Sequence, residues 1–221
     1  MTGQALETPL DGTLDIGARM VRRADELSLI HDPGVNLSLW QRELHPAIAA
    51  EVSQLRTDAL PDVRCRVDRD DTAAAVDRLL TENGVDIGRL SHWRADIVQI
   101  IERFLTLSGA PHVMLRLETT RDDGCTRFHI DQTTLRLLCT YQGPGTEWLH
   151  AHQVDMNKLG TGAPNRELIR WGSPQRFPTG AVGVMRGSRY GTGLVHRSPP
   201  MRDEDRTRVL LCLDASSTSC R

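Results

Sequence analysis

The sequence predicts an α+β protein in which N-terminal helices pack against a C-terminal double-stranded β-helix, the jelly-roll or cupin-like arrangement. Up to residue 110, apolar residues recur mainly at helical spacing. After Pro111, short apolar segments follow one another closely and are joined by Gly/Pro turns, which is typical of sandwiches and barrels. We therefore expect a flexible N-terminus (1–13), a mainly helical part with one or two strands (14–110) and a β-rich part (111–215), together forming one compact unit.

Composition excludes several functional classes. The 221 residues carry a formal net charge of -2, with 39% hydrophobic and 25% charged residues, as in ordinary globular proteins. No basic patch predicts a nucleic-acid or membrane-surface partner, and no apolar run approaches the roughly 18 residues of a membrane span. The N-terminus lacks the pattern of a signal peptide, and the five cysteines are scattered without a CxxC pair. We expect a cytoplasmic protein with reduced thiols; its oligomeric state is not predicted.

Proline and glycine residues mark the predicted element boundaries in the first half of the chain. The stretch His31-Asp32-Pro33-Gly34 separates a helical pattern from an alternating segment, and Pro46 suits the first position of a helix. Gly84 suits a helix C-terminus, and Gly109 follows a long apolar stripe. The predicted helices cover residues 14–29, 46–55, 71–83 and 91–105, and the predicted strands cover 35–40 and 63–67.

The second half reads as a succession of strands. The segments alternate or are continuously apolar, and Gly/Pro-containing turns bound them. A Gly-, Asn- and Pro-rich loop covers 155–166. The predicted strands cover 113–119, 126–131, 135–141, 146–149, 168–171, 181–185, 194–196 and 206–213.

Three residues in this half form a candidate metal site. His129 and Asp131 are two positions apart, so in a strand both side chains project to one face. His196 follows a strand and a Gly-rich turn, where a later strand could lie beside the first. Two His and one carboxylate, with the remaining positions open, form the facial triad of non-haem Fe(II) oxygenases. The alternative is that His129 is a surface or core histidine and that Asp131 orients it or caps a turn.

Two arginines follow His196 and could bind a carboxylate. Arg206 and Arg208 precede the last apolar segment, and the planar guanidinium fork binds carboxylates bidentately. In an Fe(II)/2-oxoglutarate oxygenase, one of them would bind the distal carboxylate of the cosubstrate. Arg208 is preferred because it leads directly into the strand, although both could be solvated.

Other residues near the His-x-Asp pair have open roles. Cys125 shares strand parity with His129, so it could be a further ligand that favours zinc, a redox-sensitive thiol or a small buried residue. Tyr141 and Thr146 could complete a carboxylate pocket. Trp148 and Trp171 could line a substrate cleft or pack in the core.

Several long motifs resemble a known family. They are CTRFHIDQTTLRLLCTYQGPGTEWL, PTGAVGVMRG, GLVHRSPP and RVLLCLD, supported by VNLSLWQREL and VMLRLETT, and they span most of residues 35–214. They resemble a bacterial family catalogued as domain of unknown function 1826. The resemblance groups the following residues within its motif segments: Cys125, His129, Asp131, Tyr141, Thr146, Trp148, His196 and Arg208.

A second, remote resemblance is to the jelly-roll Fe(II)/2-oxoglutarate oxygenases. It rests on the three ligand types and the following Arg, and it carries over 2-oxoglutarate by analogy. No hydrolase, kinase or dehydrogenase motif occurs. The sequence thus predicts an Fe(II)- and 2-oxoglutarate-dependent dioxygenase, a hydroxylase of unknown substrate. The alternative is a cupin-like zinc-binding protein without oxygenase activity.

Overall fold

A computed structural model describes residues 17–201 and 207–215, and ten strands form its framework. The strands are β1 (Gly17–Val21), β2 (Val35–Trp40), β3 (Val63–Asp68), β4 (His112–Thr120), β5 (Leu135–Gln142), β6 (Glu147–Leu149), β7 (Gln175–Arg176), β8 (Val182–Arg186), β9 (Val195–Arg197) and β10 (Arg208–Ala215).

The strands form one large and one small sheet. The seven-stranded sheet has the order β1-β2-β8-β5-β10-β4-β3, and the three-stranded sheet has the order β7-β6-β9. Only β1 and β2 pair in parallel; the other ladders among the described residues are antiparallel. Strands from both halves of the chain therefore share the large sheet.

Four α-helices and three 3₁₀ helices complete the described fold. The α-helices are α1 (Pro46–Val52), α2 (Thr72–Glu82), α3 (Ser91–Ser108) and α4 (Asn165–Leu168). The 3₁₀ helices are Ala24–His31, Ala151–Gln153 and Ser188–Tyr190. None of the helices in this part of the chain is long and apolar enough to cross a membrane.

The central strands of the large sheet (β2, β8, β5 and β10) are buried on both faces, and strand alternation assigns the residues of each face. On β5, Leu137 and Cys139 face a core shared with α3, which contributes Trp93 and Phe104. Leu138 faces the opposite way, into a second core shared with the small sheet. Because successive strand residues point to opposite faces, this alternation fixes which side chains can reach each layer.

The long helix α3 is anchored by a buried carboxylate. Glu51 of α1 accepts hydrogen bonds from the backbone N–H groups of His92 (3.1 Å) and Trp93 (2.7 Å) at the start of α3. Burial raises the pKa of Glu51, but these hydrogen bonds outweigh it and hold that pKa below its ordinary value. The carboxylate thus satisfies orphan donors of the first helical turn.

Most predicted elements are confirmed, and three are wrong. Within residues 14–29, the described part forms β1 and a 3₁₀ helix rather than one α-helix. Residues 126–131 contribute a single bridge at His129 instead of a strand, and residues 168–171 contribute a single bridge at Ile169. The spacing of a few apolar residues cannot show where backbone pairing with a distant strand replaces local hydrogen bonds.

Candidate metal centre

A two-residue backbone pairing brings His129 and His196 together. The N–H of His129 donates to the carbonyl of His196 at 2.9 Å, and the N–H of His196 donates to that of His129 at 3.0 Å. Residues that exchange both bonds lie directly opposite, with their side chains on one face. The two imidazole centroids are 4.6 Å apart. His196 itself belongs to β9, so the small sheet carries one half of the pair.

Two glycines permit the chain to pack closely around this pairing. A Cβ on Gly187 would lie 2.1 Å from the carbonyl oxygen of Thr133 and 2.8 Å from that of Asp131. A Cβ on Gly193 would lie 2.3 Å from the Ile130 side chain. No larger residue fits these positions without moving the backbone. The Gly-rich turn before His196 therefore holds the Asp131 segment against β9.

The side chains of His129, Asp131 and His196 converge. One ligand atom from each lies within 4.8 Å of the others. Asp131 Oδ2 is 3.1 Å from His196 Nε2, and Asp131 Oδ1 is 3.5 Å from His129 Nε2. The exposed side-chain fractions are 5% for His196, 12% for Asp131 and 33% for His129. The cluster is therefore closed behind His196 and open to solvent beside His129.

Backbone carbonyls orient both imidazoles. His129 Nδ1 lies 2.8 Å from the carbonyl oxygen of Arg127, and His196 Nδ1 lies 3.1 Å from that of Leu194. A carbonyl oxygen can only accept, so each Nδ1 carries the proton in the neutral ring. The Nε2 lone pairs are then directed toward Asp131. A hydrogen bond from the second ring nitrogen is the usual way in which a metal-binding histidine is oriented.

Asp131 Oδ2 is buried and has no hydrogen-bond partner among the described residues, despite its proximity to His196. Burial raises the pKa of Asp131, but hydrogen bonds from the protonated forms of His129 and His196, together with the charge of Arg136, outweigh it and hold that pKa well below its ordinary value. The carboxyl group is thus ionised, and when the two imidazoles are neutral its Oδ2 has no donor among the described residues. A buried anionic oxygen beside two Nε2 atoms fits a divalent cation, and two nitrogens with one oxygen fit ferrous iron with open positions.

An ion-pair chain behind Asp131 was missed by the sequence analysis. Arg136 Nη1 lies 2.6 Å from Asp131 Oδ1, while Arg136 Nε and Nη2 each donate to Asp214 at 2.7 Å. Arg136 and Asp214 are directly paired residues of β5 and β10. The available signal was an arginine and an aspartate, each within or ending an otherwise apolar strand.

Arg208 is buried at the start of β10. Its Nε donates to the carbonyl of Pro144 at 3.0 Å, and its Nη2 donates to Thr146 Oγ1 at 3.2 Å. Burial lowers the pKa of Arg208 to about 10. Among residues 17–201 and 207–215, no carboxylate forms an ion pair with its guanidinium. The structure thus joins two predicted residues, Arg208 and Thr146, whereas Arg206 lies outside the described residues.

Tyr141 lies away from this centre, contrary to the sequence expectation. Its hydroxyl donates to Asp96 Oδ2 of α3 at 2.7 Å, and its ring meets Trp93 edge-on. Arg42 forms a bidentate ion pair with the same carboxylate. Tyr141 shares the parity of Leu137 on β5 and therefore faces the helices rather than the small sheet. Its position supports packing of α3, not a carboxylate pocket.

Cys125 is exposed and lies beside the cluster rather than in it. Its Sγ is 3.6 Å from His129 Nδ1, the nitrogen that faces away from Asp131. The three-ligand cluster does not include it. Because residues before His129 are not an extended strand, the parity argument that placed this thiol with the ligands does not apply.

The two candidate cleft tryptophans are joined by a row of rings. Trp148 is buried opposite His196 in the small sheet, and its ring lies 4.6 Å from that of His150. His150 stacks on His152 at 5.2 Å, and His152 stacks on Trp171 at 4.9 Å. Trp171 is 57% exposed. The row therefore leads from the residue paired with His196 to the surface.

Comparison with solved structures identifies the class of fold. The rice dioxygenase for auxin oxidation aligns with a TM-score of 0.54 at 13% identity, covering 91% of this chain and 83% of that one. A full-length Neurospora crassa protein in complex with alpha-KG and 5-formyluracil gives a TM-score of 0.45 at 10% identity, covering 96% and 88%. A Pseudomonas putida prolyl-4-hydroxylase gives 0.38 at 11% identity, covering 87% and 98%. The rice structure alone supports a conclusion, and that conclusion concerns the fold: the chain has a mixed α/β fold similar to that of the rice dioxygenase.

The sequence comparison then gives the family. The model of the family described as protein of unknown function DUF1826 matches residues 22–214, so the chain belongs to that family. No curated protein matches the sequence.

Proposed function

We propose that this protein is a non-haem Fe(II)- and 2-oxoglutarate-dependent oxygenase, a dioxygenase that hydroxylates its substrate. The observation that carries the proposal is the convergence of His129 Nε2, His196 Nε2 and an unsatisfied oxygen of Asp131. Ferrous iron would supply the redox chemistry that couples decarboxylation of 2-oxoglutarate to substrate hydroxylation. Three protein ligands leave positions open for cosubstrate and O₂.

We further propose that the two sheets are the layers of a jelly roll and that the N-terminal elements support it in one compact unit. The second apolar core supports this because it contains residues of both sheets, including Leu138, Cys212 and Trp148. Sheet-on-sheet packing of this kind encloses a cleft between inward-facing side chains.

Arg208 and Thr146 are the proposed binding site for the distal carboxylate of 2-oxoglutarate. Arg208 alternates with Leu210 and Cys212 to the face of β10 that meets the small sheet. Asp214 near the other end of that face contacts the Asp131 ion-pair chain. A buried guanidinium without a carboxylate partner in the described residues is suited to bind an incoming one. Arg206 remains the alternative residue for binding this distal carboxylate.

The ring row from Trp148 to Trp171 is the proposed wall of the substrate path. The stacked rings of His152 and Trp171 offer an exposed aromatic face, which favours a substrate with a planar group. Ligand-observed NMR with a panel of planar aromatic and matched aliphatic fragments tests this. Binding of planar fragments that is lost in Trp171→Ala would support it, and equal binding by that variant would refute it.

The test of the oxygenase proposal is anaerobic reconstitution with Fe(II) followed by titration with 2-oxoglutarate. A weak visible metal-to-ligand charge-transfer band should appear in the wild-type protein and vanish in His196→Ala. His45→Ala, which changes an exposed histidine on the helical side, is the control and should retain the band. Tight zinc binding without any band in the presence of iron would refute the oxygenase and support the metal-binding alternative.

A further inference from the structure

The carboxylate of Asp131 is held asymmetrically. Its Oδ1 forms the 2.6 Å ion pair with Arg136, while Oδ2 is the buried oxygen without a hydrogen-bond partner in the described part of the chain. The exposed side-chain fractions of Arg136 and Asp131 are 21% and 12%. One oxygen is therefore occupied by a protein cation, and only the other is free for a ligand.

Arg136 is itself fixed by a second carboxylate. Two of its nitrogens, Nε and Nη2, donate to the two oxygens of Asp214, which leaves Nη1 directed at Asp131. A guanidinium can serve two carboxylates at once because its five donors lie in one rigid plane. Lysine, with a single ammonium group, cannot reproduce this arrangement. The charges of Arg136 and Asp214 cancel, so the pair orients Asp131 without changing the net charge of the centre.

We propose that Arg136, held by Asp214, is a positioning residue that restricts Asp131 to binding the metal through Oδ2 alone. This inference rests on the proposed metal centre. Occupation of Oδ1 prevents the carboxylate from chelating the metal with both oxygens. One coordination position is thereby kept open, and the carboxylate is already fixed in position before the metal binds. Partners of this kind, one shell beyond the ligands, typically contribute roughly 10–100-fold to metal affinity.

The test uses Co(II) in place of Fe(II), because visible Co(II) absorption reports both binding and coordination geometry. The variant is Arg136→Met combined with Asp214→Asn, which removes the ion pair and leaves the net charge unchanged. The matched control is Arg116→Met combined with Glu118→Gln, which removes an ion pair of comparable exposure on β4. We expect the Arg136/Asp214 variant to bind Co(II) roughly 10–100-fold more weakly, with altered band intensities, and the control to resemble wild type.

The outcomes separate the inference from the proposed function. If wild type and the Arg136/Asp214 variant share one affinity and one spectrum, the positioning role is wrong and the metal centre stands. If the control is weakened equally, the loss reflects the sheet in general and the role is also wrong. If wild type binds no Co(II), both proposals fail. Should circular dichroism show that the double variant is unfolded, Arg136→Lys replaces it, and an unchanged Co(II) spectrum there overturns the inference.

Discussion

Replacing Arg208 with methionine should stabilise the ligand-free protein while weakening 2-oxoglutarate binding. Burial lowers the pKa of Arg208 from 12.5 to about 10. At about 1.4 kcal/mol per pKa unit, the buried charge costs roughly 3 kcal/mol at neutral pH. Its hydrogen bonds to Pro144 and Thr146 return about 1 kcal/mol each, so the variant should gain about 1 kcal/mol of unfolding free energy. Because the pKa of Arg208 is lower in the folded than in the unfolded protein, the destabilisation by its buried charge is fully present at neutral pH and declines only as pH rises through about 10.

The same substitution removes the proposed partner of the distal carboxylate. Loss of one member of a buried charge pair costs about 2–5 kcal/mol, which corresponds to at least a roughly 30-fold weaker affinity. Isothermal titration of the Mn(II)-loaded protein with 2-oxoglutarate measures this, and urea unfolding measures stability. Arg208→Lys keeps the charge without the fork and should retain part of the affinity. Unchanged affinity in Arg208→Met, or destabilisation beyond about 2 kcal/mol, would refute the assigned role.

Three further outcomes are expected. Glu51→Gln should lower the unfolding free energy by about 1–2 kcal/mol at pH 7. Because folding lowers the pKa of Glu51, urea titrations should show this difference in stability between wild type and variant disappearing as pH falls through the folded-state pKa. Tyr141→Phe removes the hydrogen bond to Asp96 and should cost about 1.5–3 kcal/mol of stability, yet leave 2-oxoglutarate affinity unchanged. A weakened affinity would show that Tyr141 contributes to the 2-oxoglutarate site after all. In peptide mapping after brief alkylation at pH 8, exposed Cys125 should be labelled well before Cys139 and Cys212, whose burial raises each thiol pKa to about 12; equal labelling would contradict the described burial.

The accuracy of sequence-based prediction depended on which residues determine each element. The helix from Ser91 and the strands β5 and β10 were predictable because their own apolar periodicity encodes them. The segment 17–21 was not, because its strand exists through parallel pairing with β2, and that pairing leaves no side-chain pattern of its own. The segment around His129 forms one bridge only, so strand parity was the wrong reason for a correct clustering of His129 with Asp131.

The site residues, too, were predictable where the local sequence determines them and not where distant neighbours do. The ligand types and their order pointed to the cluster, and the Gly-rich turn before His196 is where close packing occurs. The side of β5 on which Tyr141 lies could not be fixed without knowing which face meets the helices. Arg136 was overlooked because a charged residue within an apolar strand resembles an ordinary edge position until its neighbour across the sheet is known.

The position of β10 bears on how the protein is made. This strand is the last one in the described sequence, yet it lies between β5 and β4 in the interior of the large sheet. A nascent chain that has not yet released residues 208–215 from the ribosome lacks Asp214 and leaves two long apolar strands without their shared neighbour. Such unpaired edges are prone to aggregation, and non-local pairing of this kind is slow. Full affinity at the proposed metal centre should therefore require that β10 has left the ribosome and taken its place between β5 and β4.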